Sequence, residues 1–251
     1  MPTDAILLPG IVLPSDLAYG ALIEALGEDV RAHAKDLEVY ATDRPPPDYG
    51  LELEADGVLR AADAAGFDGF HLVGYSGGGA IATVLAARDP DRLLSLALLE
   101  PAWMGNEGLS DDERHVRTEL ERIRDLPPDQ MMSSFIRMQL APGVEPPPPP
   151  PGPPQPWMAK RPAGIDALTR AFELHDLDPN DLRAFAKPVY FARGELSNPD
   201  YYGRMAERAE RLFADFTLEV WEGRHHFDPP HRAEPERLAS RLRALWDRAT
   251  R

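Results

Sequence analysis

The stretch Phe70-His71-Leu72-Val73-Gly74-Tyr75-Ser76-Gly77-Gly78-Gly79, continued by Ala80 and the alanine-rich residues up to 87, decides the fold. A short, largely apolar run reads as a strand, the glycines as a sharp turn, and the residues beyond as a helix. Gly74-Tyr75-Ser76-Gly77-Gly78 satisfies G-x-S-x-G, with the serine between strand and helix as a nucleophile on a tight turn requires. Side chains at 74 and 78 would strike adjacent backbone, and glycine occupies both positions. The helix that follows aims its unpaired amides and positive dipole end back at the serine. The bland alternative is a glycine turn that only packs helix on strand. A phosphate-binding P-loop would need Lys and then Ser or Thr after its last glycine, but Ala80 follows Gly79. A dinucleotide fingerprint belongs in the first strand–helix turn, where this chain has Pro9-Gly10.

Working outward, residues 5–8 predict a strand ended by Pro9-Gly10, and residues 15–26 a helix carrying Leu17, Leu22, Ile23 and Leu26. Residues 37–41 read as a second, weaker strand before a proline loop at 45–47. Residues 51–65 read as a helix capped by Gly66, and residues 93–99 as a strand buried on both faces. Beyond residue 187 the alternation resumes, with strands at 188–192 and 216–221 and helices at 201–213 and 234–246. The expectation is a doubly wound α/β fold with a mostly parallel sheet of about six strands. Residues 1–102 and 187–251 would form this core, and residues 103–186 an inserted helical cap. Within the insertion, Ser110 and Glu113 make a capping box that opens a charged helix. A second helix carries Met131, Met132, Phe135, Ile136 and Leu140. The proline-rich segment 146–156 reads as a stiff connector, with docking to a proline-binding module as the alternative.

Composition narrows the function. The 251 residues are 43% hydrophobic, enough for one sizeable core. No apolar run approaches the roughly 18 residues that span a bilayer. The opening MPTDAILLPGIVLPSD has an acidic residue where a secretory signal would be basic, so the cytoplasm is the default location. There is no cysteine, which excludes disulfides, thiolate metal sites and cysteine nucleophiles. Forty-two acidic against 27 basic side chains give a formal charge of −15, disfavouring nucleic acid and anionic membrane surfaces as partners. The oligomeric state is unconstrained.

Four segments carry a family resemblance: HLVGYSGGGAIA, LLSLALLEPAW, PVYFARGE and VWEGRHHFDPPHRAEPERLA. Together they resemble the α/β-hydrolase superfamily, in particular its capped lipase-like and esterase-like members, over nearly the whole chain. The superfamily's first hairpin is missing, because residues 5–8 match its third strand. The resemblance implies Ser76 as nucleophile. The superfamily's Gly-x-x-His ending, counted from Gly223, implies His226 as general base, with His225 second. A metal site of His225, His226, Asp228 and His231 fits no common ligand spacing. The usual acid position, three residues beyond Gly194, holds Ser197. The other placement, used by certain haloalkane dehalogenases after the strand that follows the elbow helix, falls on Glu100. A carboxylate ending so apolar a run also needs a partner, which a histidine supplies. Asp200, Glu195 and a serine–histidine dyad are the alternatives. The oxyanion donors implied are the amides of Gly77 and Ile11. Met131, Phe135 and Met138, with Met132 and Ile136, are apolar enough to cover an acyl or alcohol small-molecule pocket, and position in the fold adds Tyr75, Trp103, Trp157 and Ile11 as substrate-binding candidates. The implied activity is hydrolysis of a carboxylic ester or related acyl compound through an acyl-serine, without a cofactor and without a metal. Perhydrolase, carbon–carbon hydrolase, lactonase, thioesterase and amidase chemistry use the same groups. A catalytically inactive small-molecule-binding protein and a proline-tract interaction protein are the readings from other classes.

Overall fold

The computed structural model describes residues 2–148 and 152–250. Six strands form one sheet in the order β2-β1-β3-β4-β5-β6, and every neighbouring pair is parallel. They are β1 (Thr3–Leu8), β2 (Val30–Ala34), β3 (Phe70–Tyr75), β4 (Leu93–Leu99), β5 (Val189–Gly194) and β6 (Phe216–Trp221). Successive side chains on a strand face opposite ways, and both faces of the central strands are apolar. Ile6, Leu8, Leu72, Leu96 and Leu98 pack on one side of the sheet. Ala5, Leu7, Val73, Ala97 and Leu99 pack on the other.

Helices cover both faces. The first face is buried by α2 (Leu51–Ala65), α3 (Gly77–Arg88), α7 (Pro179–Ala184) and α8 (Arg204–Leu212), and the second by α1 (Ser15–Leu26) and α10 (Pro235–Ala249). Helix α3 is buried from Gly77 to Ala86, which explains its lack of a polar face. Helix α2 ends on Gly66 in the left-handed region (φ 72°), where its amide returns to the helix carbonyls. A four-residue helix, α9 (Pro230–Ala233), precedes α10.

The second strand lies earlier than the sequence predicts. Residues 30–34 alternate buried and exposed, as on a sheet edge, so their apolar content is low. Residues 38–40 form a single 3₁₀ turn instead of a strand. The buried Glu54 carboxylate accepts the amides of Glu38 (2.8 Å) and Val39 (2.9 Å) and the hydroxyl of Tyr49 (2.9 Å), replacing the strand ladder those amides would otherwise need. The late helix predicted over 201–213 also differs: a π-turn at Pro199–Gly203 leads into α8.

Between β4 and β5 lie α4 (Asp111–Arg124), α5 (Pro128–Met138) and α6 (Arg161–Leu174), followed by α7. The capping box forms as predicted, with Glu113 N donating to Ser110 Oγ and Ser110 N to Glu113 Oε2. No residue of α4 is buried, whereas α6 buries Ile165, Leu168 and Ala171. The segment after α5 is tied to the end of β5 by Asn198, whose amide and Nδ2 donate to the carbonyls of Gln139 and Met138. In the proline-rich segment, residues 144–148 and 152–155 have no helix or strand, and residues 149–151 lie outside the described residues.

Candidate active site

The strand order reverses between β1 and β3, because the chain runs outward from β1 to β2 before returning. This reversal opens a crevice at the carboxyl ends of β1 and β3, the usual ligand position in open α/β sheets. The turns after both strands meet there. A Cβ at position 78 would lie 2.4 Å from the Leu8 carbonyl oxygen, and one at position 74 would lie 2.4 Å from the Gly78 carbonyl oxygen. Real Cβ atoms do not approach backbone so closely, so both glycines are dictated by packing. Gly78 N donates to Pro9 O at 3.0 Å, locking the two turns together.

Ser76 sits on this turn with φ 52° and ψ −116°, a backbone state costly for any residue with a side chain. Among the described residues, Glu100 is the other non-glycine residue with positive φ, at 47°. The two strained residues end the adjacent strands β3 and β4, and Ser76 N donates to Leu99 O between them. They meet through His226, on the loop after β6. His226 Nε2 lies 3.2 Å from Ser76 Oγ, and its Nδ1 lies 3.0 Å from Glu100 Oε2. Hydrogen-bond logic places the imidazole proton on Nδ1, facing the carboxylate, which leaves Nε2 to accept from the serine. Glu100 Oε1 accepts the Gly194 amide at 2.7 Å, so neither carboxylate oxygen is idle. Exposure is 9% for Ser76 and 5% for both Glu100 and His226, which excludes most water from the three.

The His226 loop is held on several sides. The Tyr75 hydroxyl donates to His226 O, and the Tyr202 ring stacks on the imidazole with centroids 4.6 Å apart. A Cβ at Gly194 would lie 2.5 Å from the Arg224 carbonyl oxygen, so glycine at the end of β5 lets this loop close. His225 points elsewhere, its Nδ1 accepting from Phe227 N at 3.2 Å. His231 is fully buried behind Tyr75 and Tyr19, with neither ring nitrogen bonded. Burial, Arg232 and His226 together depress its pKa to about 3, so it is neutral. Among the described residues no three His, Asp or Glu side chains converge as metal ligands would, and His225, His226, Asp228 and His231 do not form such a group. Glu195 accepts from Gly223 N at the surface. Asp200 opens the π-turn, its own amide donating to Asn198 Oδ1. Neither carboxylate bonds His226.

The amides of Gly77 and Ile11 border one space: a Cβ on Gly77 would lie 3.6 Å from Ile11 N. Neither amide is taken by a turn carbonyl or a side chain among the described residues. The Ile11 turn has its own supports. The Tyr40 hydroxyl donates to Ile11 O at 2.7 Å, and Arg161 Nε donates to Val12 O. The Arg161 guanidinium also lies over the Tyr40 ring, 3.8 Å from its centroid. Sequence reasoning missed Tyr40 and Arg161, because nothing local marks a side chain that holds a turn 29 or 149 residues away.

A cleft opens over Ser76 and Gly77. Its walls are Ile11 and Ala102 from the sheet end, Leu120 from α4, Phe135 from α5, Ile165, Leu168, Thr169 and Phe172 from α6, and Gln139 and Tyr201. Of the predicted pocket residues, Phe135 lines this cleft. Met131 lies one cavity further out, with Phe135, Leu120 and Ile165. Trp103 is buried, stacked on Phe172 and bonded through Nε1 to Asn106 Oδ1, and it lines the adjoining cavity instead of this cleft. Two of the expected pocket residues lie elsewhere. Tyr75 packs against His226 and His231 on the far side of the imidazole, because its hydroxyl is drawn to the His226 carbonyl. Met138 does not line the cleft, although Phe135 and Gln139 on either side of it do, and its carbonyl accepts from Asn198 Nδ2. Trp157 packs on Arg161 instead of lining the cleft. Ile165, Leu168 and Phe172 share one apolar face of α6, which sequence reasoning did not single out, and no periodicity says that this face covers Ser76.

Among the described residues no helix is long and apolar enough to cross a membrane. A family model described as the alpha/beta hydrolase fold matches residues 6–134. Over 102 residues the chain is 32% identical to the N-formylmaleamate deformylase of Pseudomonas putida, an alignment covering 40% of this chain and 38% of that protein. The match thus spans well under half of that relative's length. Among solved structures, a thermophilic esterase from Thermogutta terrifontis is similar with a TM-score of 0.71 and 19% identity, covering 99% of this chain and 91% of that one. MenH from S. aureus is similar with a TM-score of 0.70 and 13% identity, covering 100% of this chain and 95% of that one. At these identities the two structures speak for the fold.

Proposed function

The chain belongs to the alpha/beta hydrolase family, and from that premise we propose that it is a serine hydrolase that cleaves a carboxylic ester or related acyl compound through an acyl-serine intermediate. The observation that carries this reading is the bonded chain from Ser76 Oγ through His226 to Glu100, set at the end of the elbow strand. Ser76 Oγ attacks the substrate carbonyl as His226 Nε2 takes its proton. The oxyanion that forms accepts from the amides of Gly77 and Ile11; one such donor is worth about a hundredfold or more in turnover elsewhere. His226 then passes the proton to the leaving oxygen or nitrogen, the C–O or C–N bond breaks, and the acyl group stays on Ser76. A water that gives its proton to His226 attacks the acyl-serine, and the carboxylic acid leaves as Ser76 is reprotonated. Glu100 keeps the Nδ1–H tautomer and stabilises the imidazolium without taking the proton itself. No step requires a cofactor.

In this reading residues 103–186 are a cap: α4, α5 and α6 supply one wall of the cleft and shield the acyl-enzyme from bulk water. The partial likeness to a deformylase extends the proposal to formyl C–N bonds, which the same groups would cleave.

The test is labelling with a fluorophosphonate followed by peptide mapping. Modification of Ser76, abolished by His226→Ala, is the expected result. Folded wild-type protein that takes up no label and turns over no activated short-chain ester or N-formyl amide would overturn the proposal in favour of a binding protein.

A further inference from the structure

A second cavity adjoins the cleft over Ser76 and shares with it Ala102, Leu120, Thr169, Phe172 and Tyr201. Its walls are largely apolar, yet Arg117 of α4 reaches into it beside Tyr201. The other arginines of this region have acidic partners. Arg114 pairs with Asp111, Arg122 with Glu119, Arg124 with Glu173, and Arg204 with Asp112 and Glu207. Arg117 has no carboxylate oxygen within 4.0 Å among the described residues.

The comparison with Arg208, on the same cavity wall, separates a structural arginine from one left with donors to spare. Arg208 directs its guanidinium at three carbonyls, of Met104, Glu107 and Gly108, with Glu113 at 3.9 Å. It thereby fixes the loop after β4. Arg117 bonds Asn106 Oδ1 and Gly105 O, leaving most of its five N–H donors without a protein acceptor. Burial holds the pKa of both arginines below the ordinary value, so it is the count of bonded donors that separates them. Glu113, Glu121, Glu173 and Asp200 also line the cavity. Glu113 is engaged by Ser110 N and Arg208, and Glu173 by Arg124. Asp200 stands near Arg204. Glu121 remains as the competing carboxylate, beyond ion-pair distance of Arg117.

We propose that this cavity is a carboxylate subsite built on Arg117, and that the substrate is an acyl compound carrying a free carboxylate remote from the carbonyl attacked by Ser76. The proposal rests on the serine-hydrolase reading for its reaction, though not for its binding. A guanidinium presents paired N–H donors in the plane that a carboxylate accepts, and an apolar surround strengthens that bond. The wall shared by the two cavities, Ala102, Leu120, Phe172 and Tyr201 with Thr169 as its polar member, suits the apolar chain joining the two ends of such a molecule. On a protein of net charge −15, a local cation of this kind is also what lets an anionic substrate dock.

Two measurements test this. First, kcat/KM is compared for monoethyl esters of straight-chain dicarboxylic acids and for ethyl esters of monocarboxylic acids of matched length. Wild-type protein should prefer the charged ester for at least one length, and Arg117→Gln should lower that charged-to-neutral ratio about 10- to 100-fold. Arg117→Lys should restore part of it, and Glu121→Gln should raise it. Second, the Ser76→Ala protein is titrated with the free dicarboxylates by calorimetry, a readout independent of turnover. Binding that disappears when Arg117→Gln is added supports the subsite even if no ester is cleaved, and in that case the hydrolase reading alone fails. If no length is preferred over its neutral match and no dicarboxylate binds Ser76→Ala, or if Arg117→Gln changes neither readout in a folded protein, the subsite does not exist.

Discussion

The Glu100 carboxylate meets the His226 imidazole at 3.0 Å across 126 residues of sequence, and both lie at the ends of strands with other residues forcing them together. Glu100 is held by its left-handed backbone and by the Gly194 amide on its second oxygen. His226 is held by the Tyr75 hydroxyl and the Tyr202 ring. A pair fixed this firmly has little rotamer freedom left to lose, which suits a group that must hold one tautomer. Replacing Glu100 by Gln keeps the shape but removes the charge that stabilises an imidazolium. We predict that Glu100→Gln lowers kcat on an activated ester by roughly three to four orders of magnitude, while Glu195→Gln retains it, measured by steady-state hydrolysis.

Tyr40 is predicted to act through Ile11. Its hydroxyl is the side-chain donor to the Ile11 carbonyl, and the adjoining amide of Ile11 is one of the two oxyanion donors proposed. Tyr40→Phe removes one hydrogen bond of about 1 kcal/mol, so kcat should fall about fivefold with KM little changed. A larger change in KM than in kcat would mean that Tyr40 shapes the cleft instead of the oxyanion turn.

The glycines at the elbow should be intolerant of even one carbon. Gly78→Ala would place its methyl 2.4 Å from the Leu8 carbonyl oxygen and 2.6 Å from that of Pro9, both backbone atoms that cannot step aside cheaply. The expected loss is about 3 kcal/mol or more in denaturant unfolding, together with loss of Ser76 labelling. Gly66→Ala, at a helix C-cap where the added carbon meets nothing within 4 Å, should cost only the strain of its positive φ, about 1 kcal/mol.

His231 should make the fold acid-sensitive. Its pKa is about 3 in the folded protein against 6.5 for a free imidazole, so below pH 6.5 the unfolded chain binds a proton that the folded one refuses. Stability is therefore fully present above about pH 6.5 and declines as the pH falls toward 3, by about 1.4 kcal/mol per pH unit for this one group. His231→Phe removes that proton linkage and two unpaired buried nitrogens. Unfolding midpoints at pH 7.5 and pH 5.0 should differ less in the variant than in the wild-type protein. An unchanged difference would show that His231 gains water or a partner in solution.

Much of the molecule is determined locally and was legible in the sequence. The elbow announces itself because G-x-S-x-G between a strand and a helix is a steric requirement written in consecutive residues. The core strands and main helices are legible because alternation and helical spacing are short-range patterns, and the Ser110–Glu113 box because both partners lie within one turn. The resemblance to the superfamily's Gly-x-x-His ending, counted from Gly223, implied position 226. Tertiary structure decided what depends on distant partners. The strand at residues 30–34 is defined by pairing at the sheet edge, and the turn at 38–40 by a carboxylate supplied from α2. Whether Glu100, Asp200 or Glu195 faces the imidazole depends on where three loop ends converge. Tyr75, adjacent to the nucleophile in sequence, points behind His226 because side chains alternate on a strand, and the cleft is walled instead by one face of α6 nearly a hundred residues on. A sequence records which residues are able to bond, and the choice among them belongs to the chain path, which brings together atoms that no local pattern relates.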